Sequence, residues 1–214
     1  MSTRIAVIYY SSTGNVHALA EAVTKGAAAA GAEVRLRRVA ELAPVEVVNS
    51  VPAWAAHAKA TAHIREATLE DLEWADGYVF GTPTRYGNVA AQLRQFLDTT
   101  SDPWERGILA DKPVSGFTCS GSPHGGQEST LLSMYTVFMH WGAYIIPMGY
   151  THPSVDEAGG NPYGVSSVDD GNGPAPEALA AATHLGCRVT KVAQLIRPDS
   201  MNIDASDPTR FIQG

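Results

Sequence analysis

The sequence predicts an α/β protein, a parallel sheet covered by helices on both faces. Two observations predict it. Short apolar, β-branched runs alternate along the chain with stretches of helical periodicity. Polar, glycine-containing junctions at 11–15, 82–88 and 119–126 each separate a strand-like run from a helix-like one. Right-handed crossovers then place every strand's C-terminal end along one edge of the sheet, and ligands bind in the crevice there. No internal repeat interrupts the pattern, and 214 residues suit one sizeable domain.

The elements follow in order. Arg4–Tyr10 is apolar and β-branched, as a buried strand is. Asn15–Gly31 is an alanine-rich helix closed by Gly31, a good residue just past a helix end. "EVRLRRV" (33–39) alternates apolar and basic residues, as a strand with one wet face does. The stretch 40–67, with Pro44 and Pro52, is irregular. "TLED" (68–71) opens a helix with Asp71 in the capping-box position that favours Glu or Gln. "GYVFG" (77–81) is a central strand, and Asn88–Thr99 a helix with Val89, Leu93, Phe96 and Leu97 near helical spacing. "KPVSGFTCS" (112–120) is a fourth strand, Gln127–Trp141 a helix, and "AYIIP" (143–147) a fifth strand. A Gly/Pro/Asn/Ser-rich loop runs from Met148 to Pro174, and Glu177–Ile196 is the last helix. The domain is expected to span 1–198, with 199–214 a loosely patterned tail.

Composition narrows the function. The formal charge is −7, from 15 basic and 22 acidic side chains, with no basic cluster beyond "RLRR" (35–38). A surface that tracks nucleic acid phosphates is therefore disfavoured. No apolar stretch is long enough to span a membrane, and the brief N-terminal apolar run reads as a strand, so a cytoplasmic location is expected. Cys119 and Cys187 have no metal-ligand spacing; small apolar filling suits each. No metal site is expected.

The first junction, "YYSSTGN" (9–15), poses the functional question. Amides in the first turn of a helix lack intrahelical acceptors, and the helix dipole adds partial positive charge there. Together they hold a phosphate without any lysine. Ser11, Ser12 and Thr13 offer hydroxyl donors, and Gly14 lets the backbone approach closely. Neither GxxxxGK[ST] nor GxGxxG is present, which argues against a P-loop or a Rossmann dinucleotide site. The same residues could simply cap the helix, and the sequence leaves both readings standing.

In the second junction, "GTPTRYGN" (81–88), Pro83 stiffens the turn, Gly87 permits unusual dihedrals, and Tyr86 offers a flat ring to a planar ligand such as a flavin. An ordinary turn with Arg85 solvated is the alternative. The third, "CSGSPHGGQE" (119–128), suits close backbone contact with a ligand, although its composition is common among loops. His124 reads as an exposed histidine rather than a catalyst. Trp104 and His140 suit packing roles, and a Trp beside a flavin could instead wall a substrate slot.

"YYSSTGN", "FGTPTRYGN", "QLRQFLD", "GGQE", "MHWGAYIIPMGY" and "NPYG" resemble the WrbA-like family of FMN-dependent NAD(P)H:quinone oxidoreductases, from about Arg4 to Arg197. The resemblance implies a flavodoxin-like, doubly wound, five-stranded parallel sheet in the order 2-1-3-4-5. It implies that Ser11, Ser12, Thr13, Gly14, Asn15 and Val16 hold the FMN phosphate. Pro83, Thr84, Arg85, Tyr86, Gly87 and Asn88 would line the ring. Cys119, Ser120, Gly121, Ser122, Gly125 and Gly126 would close over the polyol chain and ring edge. His140 matches a position that contacts FMN in the family, from its own or another subunit, and Trp104 one beside the substrate slot. The family forms homotetramers, dimers of dimers, and the 148–174 loop is expected to wall a neighbour's site. Two departures stand out: Thr13 replaces a tyrosine that touches the nicotinamide cofactor in some members, and Pro123 and His124 lengthen the third loop.

The resemblance implies two-electron chemistry with FMN as cofactor, NADH or NADPH as donor, and a quinone as acceptor, both substrates sharing one slot in a ping-pong cycle and limiting oxidative stress. Two rivals remain at this stage. A flavodoxin-type single-electron carrier would need an exposed flavin edge, which the long segments 40–67 and 148–174 disfavour. A non-enzymatic signalling module of the receiver type would need an aspartate ending the first or third strand, and neither "VIYYS" nor "VFGTP" has one.

Overall fold

The computed structural model describes residues 2–196; the tail expected at 199–214 lies outside the described residues. A sheet forms the middle layer. Its main path runs β2 (Ala32–Arg38), β1 (Thr3–Tyr9), β3 (Gly77–Arg85), β5 (Pro113–Ser120) and β6 (Tyr144–Ile145), all paired in parallel. Two further strands leave this path: β4 (Asn88–Val89) pairs antiparallel with β3, and β7 (Val165–Val168) pairs in parallel with β5.

Among the described residues the sheet has seven strands, which corrects the expectation of five. The reason lies at the far edge. Ile146 N donates to Val114 O at 2.8 Å, and Pro147, which has no N–H, ends that ladder. The chain loops out through the short helix α8 (Pro153–Glu157) and returns as β7 beside Phe117–Ser120. The long loop expected from Met148 to Pro174 thus contains a helix and a strand.

Successive residues of β1 face opposite layers. Ile5, Val7 and Tyr9 pack with α1 (Asn15–Ala29) and α9 (Pro176–Ile196). Ala6, Ile8 and Tyr10 pack with residues of α4 (Leu69–Trp74), α5 (Ala91–Asp98) and α7 (Gln127–His140). The capping box read at Thr68 and Asp71 is present, and Asp71 also accepts from Arg35 and Arg37, which explains the basic alternation on β2. Gly31 stands at φ 90°, past the end of α1 as read.

Two expectations change and one element is added. The stretch 40–67 holds two short helices, α2 (Val45–Ser50) and α3 (Pro52–Ala60, with proline at its start). Glu41 ties α3 to its surroundings: its carboxylate accepts from Tyr10 Oη (2.9 Å), Trp54 Nε1 (3.2 Å) and Gln92 Nε2 (2.7 Å). Burial alone would raise the Glu41 carboxyl, but hydrogen bonds from Ala43 N, Gln92, Tyr10 and Leu42 N outweigh it and hold it low. The helix expected from Asn88 starts at Ala91, because Asn88 and Val89 pair back on Arg85 and Thr84. Lastly, a short helix, α6 (Ser101–Glu105), follows α5. Among the described residues, no helix is long and apolar enough to cross a membrane.

α1 and α9 meet backbone to backbone. A Cβ on Gly26 would stand 1.8 Å from Thr183 O, and one on Gly186 would stand 2.0 Å from Val23 O. Alanine at Gly186 would gain roughly 1 kcal/mol of helix propensity. Forcing the helices apart costs about 1–3 kcal/mol and can cost more. We expect Gly186→Ala to be destabilising on balance, seen as a lower urea midpoint at unchanged slope.

Candidate functional site

At the C-terminal edge of the sheet a cavity of about 180 Å³ opens between the three junctions. Ser11, Ser12, Thr13, Asn15 and Val16 form one wall, Pro83, Thr84 and Arg85 a second, and Cys119, Ser120 and Gly121 a third. Gly14 caps α1 from behind at φ 108°, and no side chain caps the helix. Ser11 Oγ accepts from Gly14 N (3.1 Å) instead of bonding deeper into the turn. Of the two readings of the first junction, the helix-cap one fails: the amides of the first turn have neither an intrahelical acceptor nor a side-chain cap.

Asn15 makes the point sharper. It is only 5 % exposed, and neither its Nδ2 nor its Oδ1 has a partner in the structure. A buried amide left unpaired costs about 1–3 kcal/mol. Here it borders a hydroxyl-lined cavity at a helix N-terminus, where it can serve an anionic ligand. The donor set of uncapped amides, hydroxyls and a carboxamide fits the phosphate end of FMN. The cavity is smaller than usual pockets for whole cofactors, roughly 300 Å³ and upward, so it suits a phosphate and polyol rather than a complete flavin.

The second and third junctions form one mechanical unit. Tyr86 (φ 54°) and Gly87 (φ 77°) make the two-residue turn of the β3–β4 hairpin, which needs positive φ at both positions. That strained turn lifts the Tyr86 ring fully into solvent at the rim. Gly87 N donates to Thr84 Oγ1 (3.1 Å), which is also bonded to Thr130 Oγ1 (2.8 Å) on α7. Ser129 Oγ donates to Gly87 O (2.9 Å), and a Cβ on Gly126 would collide with Gly87 Cα at 2.7 Å. Gly125 and Gly126 thus serve close packing of the loops, and Asn88 orders the hairpin by donating to Tyr86 O (3.3 Å). Ser122 O accepts from Ser120 Oγ (2.6 Å), folding the third loop onto itself; Pro123 and His124 border a different cleft.

That cleft is the larger, about 710 Å³, and lies by the start of α9. Glu128, Glu157, Asp170 and Glu177 surround it, the wrong sign for a phosphate, so size does not locate the anion site.

Charge in the 180 Å³ cavity is modest. Arg85 reaches Ser12 Oγ at 3.5 Å from an exposed position. Burial, with Asp169 adding to it, pushes the Cys119 thiol up to about 12, so it stays protonated and offers no nucleophile. Behind the first loop, Tyr9 Oη and His17 Nδ1 share a 2.7 Å hydrogen bond, and the His17 and His57 rings stand 5.3 Å apart. Burial and then His17 push His57 down to about 4. Among the described residues no cluster of metal-ligating side chains occurs.

Two expected residues lie elsewhere. Trp104 Nε1 donates to His140 O at 2.8 Å, so these two are brought together. Yet α7 begins beside Gly87 and ends at His140, 14 residues on, which at 1.5 Å per residue puts His140 about 20 Å along the axis from the junctions. Neither borders the cavity of its own chain. Asp169 does border it, although no sequence motif pointed to it. Its carrier, "VSSV" of β7, is too short to show a strand period.

The fold defines a flavodoxin-like protein, with a cavity lined by amides and hydroxyls at the sheet's C-terminal edge. A crystal structure titled a flavodoxin, WrbA-like protein from Agrobacterium tumefaciens superposes with a TM-score of 0.66 at 26% identity, covering 92% of this chain and 100% of that one. An archaeal flavodoxin shares the fold at 16% identity, with a TM-score of 0.59 and coverage of 90% and 99%. The family model for NADPH-dependent FMN reductase matches residues 3–155, and the chain belongs to that family. A Deinococcus radiodurans protein named NAD(P)H dehydrogenase (quinone) is 45% identical over 168 residues, 78% of this chain and 84% of that one. A Geobacter sulfurreducens protein of the same name is 42% identical over 197 residues, 88% and 97% respectively.

Two outcomes are expected here. Asn15→Ala should leave the flavin-free protein equally or more stable, since it removes an unpaired buried amide. It should also weaken FMN by about 1.5–3 kcal/mol, the worth of a hydrogen bond to a charged group; thermal melts and flavin fluorescence quenching read the opposite signs. Secondly, a histidine kept neutral when folded binds fewer protons than in the unfolded chain, between about 4 and the ordinary 6.5. Stability therefore rises with pH through that window and is lost as pH falls through it. Melts of His57→Gln should show a flatter acid limb.

Proposed function

We propose that this chain is an FMN-dependent NAD(P)H:quinone oxidoreductase that reduces quinones to hydroquinones by two electrons in a ping-pong cycle. The observation that carries the reading is the buried, unpartnered Asn15 amide at the uncapped start of α1. The relatives named NAD(P)H dehydrogenase (quinone) support the choice of donor and acceptor.

FMN, held there, would supply two-electron redox chemistry between a nicotinamide and a quinone, the second proton of the hydroquinone coming from water. The chain's residues bind and orient. Amides of the first turn of α1, with Ser11, Ser12, Thr13 and Asn15, hold the phosphate. The Thr84–Asn88 hairpin, buttressed by Ser129 and Thr130, presents Tyr86 where a planar ring can be covered. Cys119, Ser120 and Gly121 close the third side, the protonated thiol adding bulk without charge.

We also propose a homotetramer, a dimer of dimers. Trp104 and His140 are exposed beside Met139 and Tyr144, also exposed, at the end of α7 away from the cavity. Any role of theirs at a flavin therefore belongs to a neighbouring subunit's site. A cytoplasmic location agrees with two unpaired cysteines. A role against oxidative stress follows from delivering electrons to quinones in pairs.

Anaerobic stopped-flow mixing tests the activity. The FMN-loaded protein should be bleached by NADH or NADPH and recover its oxidised spectrum with benzoquinone, with parallel double-reciprocal plots at steady state. Slow reduction by both nucleotides would overturn the enzyme reading in favour of an electron carrier.

A further inference from the structure

Asp169 enters the anion cavity from β7. Its amide donates to Ser120 O at 2.7 Å, which carries the β5–β7 pairing one step past Val168 and pins Asp169 to the third junction. Its Oδ1 accepts from Gly171 N at 3.1 Å. Among the described residues, its Oδ2 meets only Thr13 Oγ1, at a long 3.5 Å across the cavity mouth. One carboxylate oxygen is thus held by the backbone, and the other stands at the mouth with acceptor capacity to spare.

A carboxylate facing a wall of anion donors is a conflict of sign unless the ligand has two chemically different parts. A phosphate dianion has no hydrogen to donate and is repelled by Asp169. A polyol can donate, and a carboxylate is acceptor-only. The cavity thereby sorts its ligand: anion toward α1, hydroxyls toward β7. We propose that Asp169 is a binding residue that accepts a hydrogen bond from a hydroxyl of the FMN polyol chain and so fixes the direction in which the cofactor lies. The proposal rests on the FMN reading above. It gives the returning strand β7, otherwise an edge addition to the sheet, a function at the site of its own chain.

Three flavins form a chemical deletion series: FMN, riboflavin without the phosphate, and lumiflavin without phosphate or polyol. Fluorescence titration of the flavin-free full chain with each tests the proposal. Asp169→Asn should weaken riboflavin on the order of tenfold, since a neutral acceptor replaces a charged one; it should weaken FMN by a smaller factor, since repulsion of the phosphate is relieved as well, and leave lumiflavin unchanged. Asn15→Ala should weaken FMN alone. Asp169→Ser, which keeps an acceptor for Gly171 N, should repeat the Asp169→Asn pattern and guards against a turn that fails to form. Unchanged riboflavin binding, tighter FMN binding, or equal loss for all three flavins in both variants would overturn the proposal. If the wild-type chain binds no FMN, the function reading itself has failed. If it binds FMN and riboflavin and the Asp169 variants match it, only this inference has failed.

Discussion

Everything in the site depends on one helix start being left uncapped. Gly14 at the N-cap of α1 has no side chain to give, its φ of 108° is a conformation L-residues avoid, and the nearest hydroxyl, Ser11 Oγ, is committed to Gly14 N. The first-turn amides and the Asn15 side chain are consequently available to a ligand and not to the protein. That availability is a cost in the flavin-free chain. The rest of the fold must hold Asn15 in place against it, since relaxation of the turn would let the amide find water or a cap.

The restraint comes from both sides of the loop. β1, which leads into it, is paired on both edges by β2 and β3 and buried on both faces. α1, which leads out, is locked to α9 by glycine-to-backbone contacts too close for any side chain. His57 stands behind Gly14, 3.5 Å from where a Cβ would be, on a helix whose position Glu41 anchors. The second and third junctions are tied through Thr84, Thr130, Ser129 and the Gly87–Gly126 approach. A protein with net charge −7 can therefore hold an anion without a buried cation, because fixed dipoles at one helix end decide the local sign.

The three junctions were legible because each combines a strand end, glycine and hydroxyl residues, and a helix start, all within a few residues. The motif reading could place Ser11–Val16 and Pro83–Asn88 near one another through the crossover rule alone. It could not separate residues that touch the cavity from those that shape the loops around it. Gly125 and Gly126 belong to the second group, since their small size is needed for packing against Ser120 and Gly87. Trp104 and His140 were each singled out by family resemblance, and helix length sets them far from the cavity of their own chain.

The sequence by itself determined the alternation of layers, the helix boundaries at Gly31 and Thr68, and the hydroxyl-and-glycine character of the first loop. These are set by period, by the φ a residue can adopt and by side-chain donors, all properties of a few consecutive residues. Only the tertiary structure decided the return of the chain as β7, the hairpin at Arg85–Asn88 and the entry of Asp169 into the site. The two-residue β4 and the four-residue β7 carry too little pattern to announce themselves. Their stability resides in the hydrogen bonds of the partner strand, and no local stretch of sequence records which partner that is.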